Sequence, residues 1–553
     1  MTFEDFIPPR SKSVLEITGE VPSAFESTKE NFLEIQPDCN YTVSKNFSVS
    51  DESFDAIIFQ SAAIGNLENE KLVELIKNAA KNLNSKGRLI FTLDNIGYVE
   101  NLMAILEGKP LNFKITLTKL ELEKAISDSG LNAFNLVNVA KRIEVNRNLA
   151  ETAKINLSVF KYILSATPEN LPPANSIQIS IGEKIVCGLK RVFEPLNAIA
   201  TEPNMKIFFH ESKQVYGILP KEEYEKRVFI NQRISFSTFT EGKIFFEKLK
   251  SAGYLYVAEI DDNPIIWGED YEKNGYINFR GVHAVQTSTE YLADYLRQFN
   301  PNVKVFANHL KKISPLRDFK NQQESPVRIF FGAVNRDNEF IEILPILNQL
   351  AQKYGDKVQF KIIAKTKLFN ALETKNKILI GDPQYYDGQF VDYEKYLQTL
   401  RESDIALLPL LDNEFNRSKS DLKFIECGAC GAAVLASSVV YPKTVKDDVN
   451  GLIFNDKKEF AQKLQLLIEN PEKRYNLATS AYDYVKNNRL LSQHYEERLD
   501  WYNELFERLD ELNAAAQARI DEIAPKFEFE GKNISNAEIN SEQNAEIIIP
   551  DTW

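Results

Sequence analysis

Short apolar runs alternate with amphipathic stretches along most of the chain, and this pattern predicts three successive α/β units. In the first, Ser13-Val-Leu-Glu-Ile17, Phe54-Asp-Ala-Ile-Ile-Phe59 and Gly87-Arg-Leu-Ile-Phe-Thr92 read as strands, with a helix from Glu70 to Leu83. In the second, strands are expected from Ile185 to Leu189, Met205 to Phe209, Tyr254 to Ile260, Ala284 to Thr287 and Val303 to Phe306. In the third they are expected from Val327 to Phe331, Val358 to Ile363, Lys377 to Ile380, Ile405 to Leu408 and Ala433 to Ala436. Beyond Phe454 the pattern becomes helical and amphipathic.

Proline and polar clusters divide these units. The expected boundaries are a first unit at 1–147, a connection at 148–175 ending in Pro-Glu-Asn-Leu-Pro-Pro-Ala-Asn, and a second unit at 176–314. A linker bounded by Pro315 and Pro326 leads to a third unit at 327–485, followed by amphipathic helices at 486–524 and a polar tail at 525–553. Two α/β units joined by a short linker predict a ligand cleft between them, outside the carboxyl ends of their strands. The amphipathic stretch from Glu496 to Ile523 suits either pairing with another chain or packing back across that cleft.

Composition narrows the function classes. A chain of 553 residues exceeds what one core supports, and its 43% apolar and 26% charged residues are ordinary for soluble globular protein. A net charge of −13 without a long Lys/Arg run argues against nucleic acid and anionic membrane surfaces as partners. The amino terminus, with Glu4 and Asp5 ahead of any basic residue, lacks a signal-peptide pattern, and no apolar run approaches the ~20 residues of a transmembrane helix. Four cysteines are too sparse for a disulfide framework, so a cytoplasmic setting is expected. Cys427 and Cys430 form a Cys-x-x-Cys, but no second Cys or His pair completes a metal site; they read as small helix-packing residues.

The segment Phe415-Asn-Arg-Ser-Lys-Ser-Asp-Leu-Lys-Phe-Ile-Glu426 concentrates groups suited to a nucleotide sugar. Ser418, Lys419 and Ser420 are expected where a loop becomes a helix, whose amino end favours a diphosphate. Lys423 and Glu426 follow on neighbouring faces of that helix, the carboxylate placed for ribose hydroxyls. Together with Ser403-Asp-Ile-Ala-Leu-Leu-Pro-Leu410 and Cys427-Gly-Ala-Cys-Gly-Ala-Ala-Val-Leu-Ala436, the segment resembles retaining bacterial GT-B glycosyltransferases that act on surface polysaccharides or proteins. In that family two glutamates eight residues apart flank the donor; Glu426 matches the second, and Ser418 stands at the position of the first.

The resemblance implies further donor-side residues in Arg328-Ile-Phe-Phe-Gly-Ala-Val-Asn-Arg-Asp-Asn338, where Gly332 allows close phosphate approach and Arg336 is a countercharge or a solvated loop residue. It extends into the second unit through Gly253-Tyr-Leu-Tyr-Val-Ala-Glu-Ile-Asp-Asp-Asn-Pro-Ile-Ile-Trp267 and Gly281-Val-His-Ala-Val-Gln-Thr-Ser-Thr-Glu-Tyr-Leu-Ala293, spanning Ser176 to Val485 in all. Asp261 and Asp262 are candidates to bind acceptor or orient the transferred sugar, and His283 to assist proton transfer, against a structural reading of each. Gly188, Lys190 and Arg191 in Cys187-Gly-Leu-Lys-Arg-Val-Phe-Glu-Pro195 are acceptor-loop candidates. The implied activity uses a nucleotide-sugar co-substrate and a glycan or protein acceptor, with cationic and hydroxyl groups stabilising the leaving diphosphate and no metal ion.

The first unit carries a second resemblance. Ser13-Val-Leu-Glu-Ile-Thr-Gly-Glu20, Ser53-Phe-Asp-Ala-Ile-Ile-Phe59 and Leu83-Asn-Ser-Lys-Gly-Arg-Leu-Ile-Phe-Thr92 are similar in order and spacing to class I S-adenosylmethionine-dependent methyltransferases. The glycine-rich turn is reduced to Gly19 followed by Glu20, Val21 and Pro22, and Glu34 stands near the family's ribose-binding acid. A degenerate unit that binds no S-adenosylmethionine, retained for packing, partner binding or acceptor capture, is therefore expected. Three function classes remain open: a glycosyltransferase, a bifunctional methyltransferase-glycosyltransferase and a non-catalytic glycan-binding or assembly subunit.

Overall fold

The computed structural model describes residues 3–19, 28–49, 51–94, 117–140, 159–182, 186–211, 217–319, 326–332, 336–364, 366–381 and 391–527. Glu20, Val21 and Pro22, residues 148–158 of the expected first connection and 528–553 of the expected tail lie outside them. Among the described residues, three six-stranded sheets account for the strands, one per predicted α/β unit.

The first sheet contains β1 (Ser13–Ile17), β2 (Asn40–Ser44), β3 (Phe54–Phe59), β4 (Leu83–Asp94), β5 (Asn132–Ala140) and β6 (Val159–Thr167), in the order β2-β1-β3-β4-β6-β5. β6 is antiparallel to both its neighbours, and the other pairings are parallel. The expected connection at 148–175 is corrected here, because its 159–167 portion is this inserted strand.

The second sheet is wholly parallel: β7 (Asn175–Ile181), β8 (Met205–Glu211), β9 (Lys226–Gln232), β10 (Tyr254–Glu259), β11 (Ala284–Thr287) and β12 (Val303–Val305), ordered β12-β11-β10-β9-β7-β8. The strand expected from Ile185 to Leu189 is not one. Ile185 is outside the described residues, and Val186–Gly188 begins a helix that continues through a π-helical turn, Leu189–Phe193, into Glu194–Ile199. The real strand, β7, lies just upstream, where polar Ser176, Gln178 and Ser180 are buried among apolar Ile177, Ile179 and Ile181. Gln178 is satisfied there by the Tyr254 hydroxyl, which donates to its Oε1 at 2.6 Å, so burial carries no unpaired-amide penalty at that oxygen.

The third sheet is also parallel: β13 (Val327–Phe331), β14 (Val358–Ile363), β15 (Lys377–Ile380), β16 (Ile405–Leu408), β17 (Ala433–Ser437) and β18 (Leu452–Phe454), ordered β15-β14-β13-β16-β17-β18. Helix Leu422–Ala429 packs against helix Pro471–Asn488 through small residues: a Cβ on Gly428 would lie 3.1 Å from the Ala481 carbonyl oxygen. Cys427 and Cys430 are free buried thiols, and the Cys430 Sγ lies 3.6 Å from the Leu397 carbonyl oxygen.

Helices Glu496–Glu507 and Leu509–Phe527 return to the second unit. Trp501, Tyr502, Leu505 and Leu512 join the core containing Ile177, Val228 and Leu255, whereas Ala516, Ile520 and Ile523 join that containing Phe229, Tyr254 and Tyr256. These apolar residues are thus packed on the second unit itself, not across the cleft between the units as the packing alternative has it. Among the described residues no helix is long and apolar enough to cross a membrane.

The first unit rests on the second unit and on the segments that join the second and third. Arg88 Nη2 donates to Glu202 Oε2 at 2.6 Å, and the Tyr495 hydroxyl donates to Glu202 Oε1 at 2.8 Å. Ile313 N donates to the Glu34 carbonyl at 2.7 Å, Lys312 lies 3.6 Å from the Glu34 carboxylate, and Lys486 lies 3.1 Å from Asp38. Glu34 is therefore engaged in docking, not placed as a ribose ligand.

Candidate functional site

In a doubly wound sheet, ligands sit at the switch point where strand order reverses. In the third unit that point lies between β13 and β16, and Gly332 stands immediately after β13. In the second unit it lies between β7 and β9, whose carboxyl ends are close: a Cβ on Gly182 would come within 2.7 Å of the Gln232 and Arg233 carbonyl oxygens. Arg233, directly after β9, adopts φ 53°, a left-handed conformation unusual for a side chain of this size.

That backbone turns the Arg233 guanidinium across the end of β10. Nε donates to Asp261 Oδ1 and Nη2 to Asp262 Oδ2, both at 2.6 Å. Burial raises the Asp261 carboxyl pKa, against the opposing pull of Arg233. Asp262 Oδ1 also accepts from Lys419 Nζ at 3.4 Å, so the third unit's basic loop reaches the second unit's acidic pair. The Lys419 ammonium lies 4.0 Å from the Phe415 ring centroid. Burial lowers its pKa, Asp262 works to raise it, and the nearby Arg336 charge lowers it further. Arg336 precedes helix Asp337–Tyr354, with Nη1 3.9 Å from Glu339 Oε1. Four sequence candidates, Asp261, Asp262, Arg336 and Lys419, are thereby brought together, along with Arg233, which sequence reasoning missed.

The two serines flanking Lys419 serve a different purpose. Ser418 is buried; its Oγ accepts from Asn263 Nδ2 at 2.9 Å and donates to the Glu414 carbonyl at 3.1 Å. Its own carbonyl accepts from Thr289 Oγ1 at 3.0 Å. Ser420 Oγ accepts from Asn308 Nδ2 at 2.8 Å and from Leu422 N at 3.4 Å. Both serine hydroxyls thus join the units instead of facing open space. Asp421 reinforces the joint, accepting from Arg489 Nη2 at 2.8 Å and from the Thr444 hydroxyl at 2.6 Å. Burial acts to raise the Asp421 pKa, but Arg489 and Thr444 outweigh it and hold the carboxyl below its usual range.

Helix Leu422–Ala429 carries Lys423 and Glu426 into a second cluster. Glu426 is 0% exposed. Its Oε1 accepts from the Tyr393 hydroxyl at 2.9 Å; its Oε2 accepts from the Tyr396 hydroxyl and Lys423 Nζ, each at 3.0 Å. Burial, then the adjacent Glu426 charge, raises both phenols well above their ordinary pKa, so they are protonated donors. The two rings are stacked at a centroid separation of 6.0 Å. From the second unit, buried Lys190 places Nζ 4.7 Å from the Tyr393 centroid while donating to Glu194 Oε1 at 2.8 Å. Lys190 therefore reaches the cleft from the π-helical turn, a backbone irregularity often found at functional sites.

Two candidates lie elsewhere. Arg191 is 1% exposed, donating through Nε to Glu259 at 2.7 Å, through Nη1 to Asn308 Oδ1 at 3.1 Å and through Nη2 to the Thr287 carbonyl at 2.8 Å. Its acceptor-binding expectation gives way to a bolt across the ends of β10, β11 and β12. His283 is 0% exposed; Nδ1 accepts from Tyr256 N at 2.8 Å, and Nε2 lies 3.0 Å from Asn513 Oδ1 on the returning helix. Burial pushes its pKa down to about 4, and this neutral histidine fastens β10 to Leu509–Phe527, away from the cleft cluster. Gly188 ends the short helix leading to Lys190. Among the described residues, no group of three or more His, Cys, Asp or Glu has a metal-binding arrangement.

Residues 345–502, less than a third of the chain, match a family described as glycosyl transferase-like. The third unit thus carries a glycosyl transferase-like domain. No curated protein matches the chain. Among solved structures, sucrose-phosphate synthase from Thermosynechococcus elongatus is 12% identical over 60% of this chain and 99% of its own, with a TM-score of 0.42. A glycosyltransferase from Rickettsia africae ESF-5 is 14% identical over 60% and 98%, with a TM-score of 0.42. Anabaena HepE in complex with UDP is 12% identical over 59% and 99%, with a TM-score of 0.39.

Proposed function

We propose that the chain transfers a sugar from a nucleotide-sugar donor, held mainly by the third unit, to an acceptor presented by the second. The observation that carries this reading is the ion pair that Lys419, with the Arg336 charge near it, makes at the cleft between the units with Asp262 of the Asp261–Asp262 pair. In this reading Lys419 and Arg336 stabilise charge developing on the departing diphosphate, aided by the amino end of helix Leu422–Ala429. Gly332 gives the phosphates close approach, and Glu426, with Lys423 beside it, receives the ribose hydroxyls. Asp261 and Asp262, oriented by Arg233, bind the transferred sugar or the acceptor hydroxyl, and Lys190 with Gly188 borders the acceptor side. Retention of configuration without a metal ion, a bacterial surface glycan or protein as acceptor and a cytoplasmic setting follow the resemblance and composition.

A panel of UDP-, GDP- and ADP-sugars tests the proposal. One donor is expected to be hydrolysed or transferred, and Glu426→Ala to abolish turnover while leaving the protein folded. Silence with every donor favours the non-catalytic reading, which has one observation of its own: Ser418 stands at the missing glutamate's position, with its hydroxyl already occupied.

The mostly parallel sheet of the first unit supports a methyltransferase-like shape. At its switch point, between β1 and β3, Gly19 has φ 74° and packs closely on the backbone after β3: a Cβ there would lie 2.8 Å from the Ala62 carbonyl carbon. The proposed role is therefore packing and attachment without S-adenosylmethionine. Calorimetry is expected to show no heat of S-adenosylmethionine binding even at millimolar ligand; a saturable isotherm restores the bifunctional reading.

A further inference from the structure

A fully buried carboxylate can meet a ligand only by exchanging one of the groups that cover it. Glu426 has three such partners, and they differ in freedom. Tyr396 is buried, and its ring lies 4.2 Å from Lys423 Nζ; Lys423 is one helical turn from Glu426 and remains beside it in any ligand state that preserves the helix. Tyr393 is only half-buried, occupies the first position of helix Tyr393–Arg401 and, among the described residues, alone donates to Glu426 Oε1. Its ring is also the one gripped from the opposite unit by Lys190.

We propose that Tyr393 is the exchangeable cap of Glu426: its hydroxyl holds Oε1 in the empty site and yields that position to a ribose hydroxyl when the nucleotide enters. The proposal rests on the ribose role of Glu426. Tyr393 is then a positioning residue that links donor occupancy to the second unit, because moving its hydroxyl from Oε1 shifts the ring beneath Lys190. The stack with Tyr396 provides a surface along which the ring can move without losing its apolar contact.

The exchange has a signature that packing alone lacks. Tyr393→Phe keeps the ring and the stack but removes the competing hydroxyl, so binding no longer requires its displacement. Titration of the full chain with UDP, GDP and ADP in turn identifies the nucleotide that binds, and its 2′,3′-dideoxy counterpart supplies the control. Tyr393→Phe is expected to tighten the ribonucleotide about three- to tenfold, the scale of one hydrogen bond, and to leave the dideoxynucleotide unchanged. Lys190→Met, which releases the ring from the second unit, is expected to tighten the ribonucleotide in the same direction by a smaller factor; an unchanged affinity overturns the link across the cleft. No change in Tyr393→Phe, or equal changes for both nucleotides, overturns the exchange. Glu426→Gln separates the two layers of inference: if it leaves the ribose-over-dideoxy preference intact, the ribose role falls and the exchange with it. If that preference collapses while Tyr393→Phe is inert, the ribose role stands and only the exchange is lost.

Discussion

Replacing Lys419 with alanine is expected to lower kcat by about 10²–10³-fold, the scale seen when one preorganised group that stabilises developing transition-state charge is removed. The donor's diphosphate is already anionic in the ground state, so KM should rise too. The larger effect belongs in kcat because additional charge collects on the departing phosphate as the sugar bond breaks. The geometry favours Lys419 over Arg233 for this role. Arg233 is committed to both aspartates at 2.6 Å, whereas Lys419 meets Asp262 at 3.4 Å and can be redirected towards an incoming diphosphate at smaller cost. Lys419→Arg, which preserves charge but changes its shape, should recover part of the loss. Steady-state kinetics with the donor found in the panel provides the measurement; a kcat within twofold of wild type would remove Lys419 from the catalytic machinery.

The loop that positions Lys419 was legible because its chemistry is local in sequence. Ser418, Lys419, Ser420, Lys423 and Glu426 occur within nine residues, and helical spacing alone places the last two side by side. Their partners were illegible for the opposite reason: Tyr393 lies 33 residues from Glu426, and Arg233 lies 28 residues from Asp261. Only the order of strands in the sheets brings those pairs together. Spacing also could not reveal that the serine hydroxyls would be consumed by Asn263 and Asn308 across the cleft.

Strands show the same division. β16, Ile405-Ala-Leu-Leu408, is an uninterrupted and buried apolar run, as expected for a parallel strand covered on both faces, and β13, β14 and β15 match their expected bounds although Arg328, Gln359, Lys361 and Lys377 interrupt or begin them. β7 falls, apart from Asn175, within the expected second unit but carries no strand prediction, because Ser176, Gln178 and Ser180 alternate with its isoleucines and proline-rich sequence precedes it. Ile185 to Leu189 reads as strand in sequence because a short apolar run has no period long enough to distinguish strand from buried helix. The difference bears on function: a strand ending at Leu189 would leave Lys190 and Arg191 together in a loop at the cleft, whereas the helix directs Arg191 inward and Lys190 towards Tyr393.

That inward placement makes Arg191 the position with the largest expected effect on stability. Arg191→Ala leaves Glu259, itself 0% exposed, without its close guanidinium partner; Arg498 remains, but 3.8 Å away. It also removes donors from the Phe306 and Thr287 carbonyls at the ends of neighbouring strands. Breaking a buried pair by deleting one partner typically costs about 3–5 kcal/mol because the remaining charge stays desolvated. For a unit of this size that lowers its Tm by roughly 10 °C or more. A chain of several units need not unfold in one transition, so hydrogen exchange of the β10, β11 and β12 amides should accompany the thermal scan. Arg191→Lys distinguishes a bolt from a binding residue. One ammonium cannot span Glu259, Asn308 and the two carbonyls that the planar fork reaches, so lysine should restore only part of the stability. A residue whose role was to touch acceptor would behave differently, with wild-type stability and a raised acceptor KM in Arg191→Lys, and that result would return Arg191 to the acceptor site.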